Sequence, residues 1–173
     1  MKRTVILITL VAIAVTLSST VIAEINGFRG MNWGADFSKV KDKMTYVATD
    51  PSYGGMQCYI NKSDELKIGG AKLRAIIYKF WHNKLCSVRI NFKGYTNFAG
   101  VKEAAINKYG ENWYQDNPYI EDYIWLHDEK ATIRLKYSEV SDEGSLSLSS
   151  NKISEEQESY NAEKAKKGAK TDF

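Results

Sequence analysis

His127-Asp128-Glu129, with Asp122 nearby, offers this chain's candidate ligands for a metal or carriers of a proton. Adjacent residues on a tight turn point apart rather than converge, and neither HExxH nor a paired-Cys motif is present. Glu121 and Asp122 are neighbours on an expected strand, so they face opposite sides, which is poor geometry for an acid and a base acting together. No Walker loop, nucleotide-binding glycine fingerprint or GxSxG elbow occurs. The residues therefore point away from an enzyme and away from a metal or other cofactor. A hydrolase would need distant residues to meet in a cleft.

Cys58 and Cys86 are the only cysteines. Each alternates in phase with apolar residues: Met56, Cys58 and Ile60, then Cys86, Val88, Ile90 and Phe92. They form either one disulfide or two buried thiols, according to whether their strands are neighbours, because Cα atoms more than ~7 Å apart cannot be bridged.

The stretch YKFWHNKLCSVRINF, residues 78–92, reads as a β-hairpin turning at His82-Asn83. Its first strand is apolar on both sides. A second hairpin, YIWLHDEKATIRLKY at 123–137, repeats the pattern: Tyr78 meets Tyr123, Phe80 meets Trp125, His82 meets His127 and Arg89 meets Arg134. If both loops have an even number of residues, Phe80 lies opposite Leu85 and Trp125 opposite Thr132. Ile77, Cys86, Val88, Ile90 and Phe92 then share the core side with Ile124, Leu126, Ile133, Leu135 and Tyr137. Tyr78, Phe80, Arg89, Tyr123, Trp125 and Arg134 share the other side. Aromatic residues and Arg are enriched at binding hot spots, so this second side is a candidate recognition face. The alternative is that the rings suit strands and are covered by loops or the tail.

The elements that must carry these residues follow in order. Asp36 is a good N-cap, and Phe37, Val40 and Met44 at helical spacing predict a helix over 37–45. Strands are expected at 56–61 and through the hairpin at 72–92. A second helix over 98–110 has Phe98, Val101, Ala105 and Tyr109 as its buried stripe and Gly110 as its C-cap. The hairpin at 120–137 and a last strand at 145–149, where Leu146 and Leu148 alternate with serines, complete an α+β domain. Its helix-plus-three-strand order occurs twice, as units at 31–93 and 96–150, giving an antiparallel sheet with helices on one face. From residue 154 the composition turns polar, predicting a solvated helix that frays into a disordered tail. Lys164, Lys166, Lys167 and Lys170 there could touch a membrane surface, or form a solvated charge run.

At the other end, Lys2 and Arg3, the apolar run Val5–Leu17 and the Val21-Ile22-Ala23 exit match a signal peptide cut after Ala23. The run is shorter than the ~20 residues of a spanning helix, which leaves an uncleaved anchor as the alternative. Cleavage would leave a single domain over 24–153 and the tail over 154–173, in the periplasm or outside the cell. Losing Lys2 and Arg3 brings the net charge of +3 close to zero, so nucleic acid is not an expected partner.

The pattern WG-x-x-x-x-x-V (Trp33, Gly34, Val40), with an aromatic-Gly helix end at Tyr109-Gly110, resembles a group of small exported bacterial proteins that lack an assigned function. The doubled unit is similar to the β-lactamase inhibitory protein family and, in one copy, to the small lipoprotein of the outer-membrane assembly machinery. The inhibitor resemblance implies a concave sheet whose aromatic side chains grip a partner protein, with Tyr78, Phe80, Tyr123 and Trp125 as the gripping residues. That family also has disulfides within its units, where Cys58 and Cys86 would fall. The expectation is an exported, non-catalytic binding protein acting on a protein or other envelope component. A carrier of small apolar ligands on the same face is the alternative.

Overall fold

Period-two alternation dominates the chain after Met44, and it folds accordingly. The computed structural model describes residues 25–115, 117–127 and 130–172, the side chains of 126, 127 and 170–172 excepted. The expected signal segment lies outside the described residues. The strands are β1 (Gly27–Phe28), β2 (Met31–Asn32), β3 (Met44–Asp50), β4 (Met56–Asn61), β5 (Lys67–Ile68), β6 (Ala71–Lys72), β7 (Ala75–Trp81), β8 (Lys84–Lys93), β9 (Trp113–Gln115), β10 (Ile120–His127), β11 (Ala131–Ser138) and β12 (Glu143–Ser150). The helices are α1 (Tyr95–Tyr109) and α2 (Asn151–Asp172). Eight strands form one antiparallel sheet in the order β3-β4-β7-β8-β12-β11-β10-β9, while β1-β2 and β5-β6 are separate ribbons. The architecture is mixed α+β.

The helix expected over 37–45 is not formed. Two 3-10 turns, Phe37–Lys39 and Lys41–Lys43, stand there, and Met44 already begins β3. Asp36 does cap, accepting from the Ser38 N–H at 2.8 Å. Phe37 stacks on Tyr59 with ring centres 4.3 Å apart and meets Phe80 edge-on at 5.2 Å. Its N–H donates to the Asn83 carbonyl at 2.8 Å. These tertiary bonds hold the segment as a strap along the β7–β8 hairpin and override its helical spacing.

Trp33-Gly34 fastens that strap. The Trp33 indole N–H donates to the Ile25 carbonyl at 3.0 Å. Gly34, at φ +74°, turns its N–H to the Leu85 carbonyl, and the Leu85 N–H donates to the Ala35 carbonyl. The β8–β12 ladder ends at Ser87 and Ser149, so the strap supplies Leu85 with the partner that β12 does not reach.

The helix α1 matches its expected stripe: Phe98, Val101, Ala105 and Tyr109 are buried. Asn97 anchors its start by accepting from the Lys72 N–H at 2.9 Å and donating to the Lys93 carbonyl at 2.7 Å. Gly100 lets the helix come close to β6, since a Cβ there would sit 3.2 Å from that of Ala71. Together α1 and the strap cover one side of the sheet, burying Ile76, Leu85, Val88, Ile90, Ile133, Leu135, Leu146 and Leu148 in a single core.

The tail is helical within the described residues, as expected for its start, but it docks on the side of the sheet opposite α1, so the helices do not share one face. Its first turns cross the other side of the sheet at one end, where Ile153 packs with Met56, Trp81 and Cys86. Tyr160 meets Trp81 edge-on at 5.9 Å. Gln157 is buried with its amide 3.3 Å from the Met56 sulfur. Polar composition concealed this contact because only a few of the helix's residues make it.

Candidate functional site: the reverse face of the sheet

The side of the sheet away from α1, called here the reverse face, carries only part of the expected recognition set. Tyr78, Phe80 and Trp125 are 1% exposed and Tyr123 is 7% exposed, all on the core side. The Tyr78 hydroxyl donates to Asp64 at 2.7 Å, and burial, then Asp64, pushes its pKa up. Trp125 donates its indole N–H to the Gly110 carbonyl at 3.0 Å. Tyr123 hydrogen-bonds with Glu121 and Lys102. The four rings are therefore core residues, not a gripping surface.

Two register features account for the reversal. In the first hairpin the turn is His82-Asn83, both at positive φ, and Phe80 faces Leu85 as expected. The next pair, however, is Lys79 with Ser87, so Cys86 is an extra residue in a β-bulge. Beyond it Tyr78 faces Val88 and Ile77 faces Arg89. In the second hairpin the loop is 128–130, an odd number of residues, so Trp125 faces Ile133 and Ile124 faces Arg134. A one-residue slip moves every side chain to the other side.

Arg89 and Arg134 remain on the reverse face, in one cross-strand row that reads Ile77, Arg89, Ser147, Arg134, Ile124, Trp113. Trp113 ends that row 72% exposed. The adjoining row reads Ala75, Asn91, Ser145, Lys136, Asp122. Sequence reasoning missed Ile77, Asn91, Lys136, Ser145 and Trp113. The signal was the serine alternation of β12, which leaves the middle of the face without long side chains.

Most charges on this face are paired. Arg134 donates through Nε and Nη2 to both carboxylate oxygens of Asp122, at 2.8 and 2.5 Å, and Lys136 Nζ lies 3.5 Å from the same group. The Arg134 hydrogen bonds hold the Asp122 pKa below the usual carboxylate value. Lys79 bonds Asp50 at 2.7 Å, and with Ser52 it lowers the Asp50 pKa to about 2. Arg74 pairs with Glu143 at 2.7 Å. Arg89 differs: its Nη2 donates to the Ser145 hydroxyl at 3.3 Å, and among the described residues it has no carboxylate partner.

A cleft of about 620 Å³ opens on this face at the end away from α2. Its lining includes Ala75, Ile77, Arg89, Asn91, Lys136 and Ser145. This volume suits a side chain or short segment of a ligand rather than a single ion.

Cys58 and Cys86 are both buried free thiols. They lie on β4 and β8 with β7 between them, so their Cα atoms are about 9.5 Å apart by strand spacing, beyond bridging distance. The expected alternative of a disulfide is thus excluded by topology. Cys86 Sγ donates to the Lys79 carbonyl at 3.2 Å, and burial raises its pKa.

Glu121 and Asp122 face opposite sides, the first bonded to Tyr123 and the second to Arg134. Asp128, Glu129 and the His127 side chain lie outside the described residues. No described helix is long and apolar enough to cross a membrane. No protein-family model, curated protein or solved structure matches the chain.

Proposed function

We propose that this is an exported, non-catalytic binding protein that engages a partner protein through the reverse face of its sheet. The observation that carries the reading is the cross-strand row Ile77, Arg89, Ser147, Arg134, Ile124, Trp113, which α1 and the strap leave uncovered. Trp and Arg give large contact area and directed hydrogen bonds, and they dominate interface hot spots. The sheet-gripping mode of the inhibitor family is kept, with a different set of residues. The two-unit reading rests on the triplets β4, β7, β8 and β10, β11, β12, whose last strands pair at the sheet centre; a strap precedes the first triplet where a helix precedes the second. The apolar-carrier reading loses its support, because the rings it needed pack in the core.

The test is site-specific photo-crosslinking in intact cells from position 113, with position 106 on the exposed flank of α1 as control. A discrete protein adduct from 113 that is absent from 106 supports the reading. Identical adducts from both positions, or none from 113, sink it.

A further inference from the structure

The reverse-face cleft is lined by four residues that can donate hydrogen bonds, Arg89, Asn91, Lys136 and Ser145. Ser145 faces Asn91 on one side and Lys136 on the other, within a single cross-strand row. Arg89 starts from the next row, but its guanidinium leans to the Ser145 hydroxyl at 3.3 Å. A guanidinium has five N–H donors in a planar fork, and that one bond leaves most of them available. Asn91, Ser145 and Lys136 line the same cleft, with the Lys136 ammonium 3.5 Å from the Asp122 carboxylate that Arg134 also holds.

Charge on the lining is one-sided. Arg74, Lys79, Arg89 and Lys136 contribute cations, and Glu143 is the carboxylate among the lining residues. Asp50 and Asp122, just outside the lining, are engaged by Lys79 and Arg134. Arg89 is the cation that no described carboxylate neutralises. Ile77 and Ala75 add apolar surface beside it.

We infer that the cleft binds a carboxylate side chain of an acidic, extended polypeptide segment, with Arg89 as its anchor and Asn91, Ser145 and Lys136 around it. The inference rests on the proposed binding function and names its partner's chemistry. The floor strands β8 and β12 are paired with each other and with β7 and β11, so no backbone edge is available to a guest strand there. Side-chain charge must do the recognising, and the apolar wall selects apolar residues between the guest's acids. A lone inorganic anion would fill little of the cleft.

The experiment uses the full chain and a fluorescein-labelled peptide alternating Glu and Val, followed by fluorescence anisotropy. The Gln–Val peptide, inorganic phosphate and a short oligonucleotide serve as comparators. Expected are binding of the Glu–Val peptide alone, weakening about tenfold or more on raising salt from low to physiological strength, and a loss of about tenfold in Arg89→Ala. Lys43→Ala, an exposed lysine elsewhere, should leave binding unchanged. Equal binding of the Gln–Val peptide, equal loss in Arg89→Ala and Lys43→Ala, or complete displacement by millimolar phosphate overturns the inference. Tighter binding of the oligonucleotide than of the peptide does so as well. A crosslinked partner from position 113 combined with no preference for the Glu–Val peptide would remove the acidic guest and leave the binding face standing.

Discussion

Replacing Trp125 by Ala distinguishes a core ring from a recognition ring, and its cost can be worked from the structure. The indole is 1% exposed, with Tyr123 beside it at a ring separation of 6.3 Å. A buried Trp covers roughly 150–250 Å² of surface, which at about 25 cal/mol per Å² is about 4–6 kcal/mol. Measured aromatic-to-Ala losses of about 3–5 kcal/mol set the lower end of that range. The indole bond to the Gly110 carbonyl adds little, because Gly110 is exposed and water can replace the donor. Against a total stability of roughly 5–15 kcal/mol, a loss of about 4 kcal/mol removes a large part of the margin. With a urea slope near 2 kcal/mol per M, the unfolding midpoint should fall by about 2 M. Trp125→Phe keeps most of the apolar area and should lose about 1–2 kcal/mol. Arg89→Ala on the reverse face should change stability by about 0.5 kcal/mol or less. Urea unfolding followed by circular dichroism measures all three. A Trp125→Ala protein with the wild-type midpoint would refute the burial argument and return the ring to a surface.

Acid should weaken the fold through Asp50. Its pKa is lowered from 3.8 to about 2, chiefly by the Lys79 hydrogen bond, so the pair's contribution is complete above about pH 4 and disappears as pH falls through about 2. The side chains are 25% and 19% exposed, and screening reduces the ideal linkage value to about 1–2 kcal/mol. Asp50→Asn should therefore lose that amount at pH 7 and almost nothing below pH 2; parallel acid curves for the two proteins would show the pair to be inert. For the cysteines, a thiol reagent should find both protected in the native protein and both reactive after urea unfolding without reductant. An oxidised form two hydrogens lighter, with no thiol released by urea, would contradict the placement of β7 between them.

Local patterns were the legible part of this chain. Phe98, Val101, Ala105 and Tyr109 announced α1 because helical spacing and burial agree there, and Gly110 ends it at φ +79°. The strands of both hairpins could be read from alternation, and the His82-Asn83 reversal from its turn residues. Phe37, Val40 and Met44 misled because the same spacing fits a strap whose bonds go to Leu85 and Asn83, far along the chain. The docking of α2 was hidden for a related reason. Ile153, Gln157 and Tyr160 are sparse in a polar segment, and their partners Met56, Trp81 and His82 come from elsewhere.

The candidate site depended on something finer than pattern, namely the parity of two connections. Each hairpin's first strand carries large rings on one side and smaller apolar residues on the other, so either side could serve as core. Strand chemistry alone does not choose. The choice falls to Cys86, the unpaired residue of the bulge, and to the 128–130 loop, each of which shifts pairing by one. The shifts agree: both bring the ring side into contact with Val88, Ile133 and Leu135, and both leave Arg89 and Arg134 facing out. Had only one hairpin shifted, the arginines would lie on opposite sides of the sheet and no common face would exist. The register without a bulge, in which Cys86 is kept and pairs with Lys79, would put Arg89 on the core side, where a buried, unpaired guanidinium is strongly destabilising. Deleting Cys86 instead leaves Leu85 facing Phe80 and Ser87 facing Lys79, so the variant should fold in the native register with Arg89 still on the reverse face and partner binding retained. A deletion variant that folded but lost partner binding would show that the face depends on more than this register.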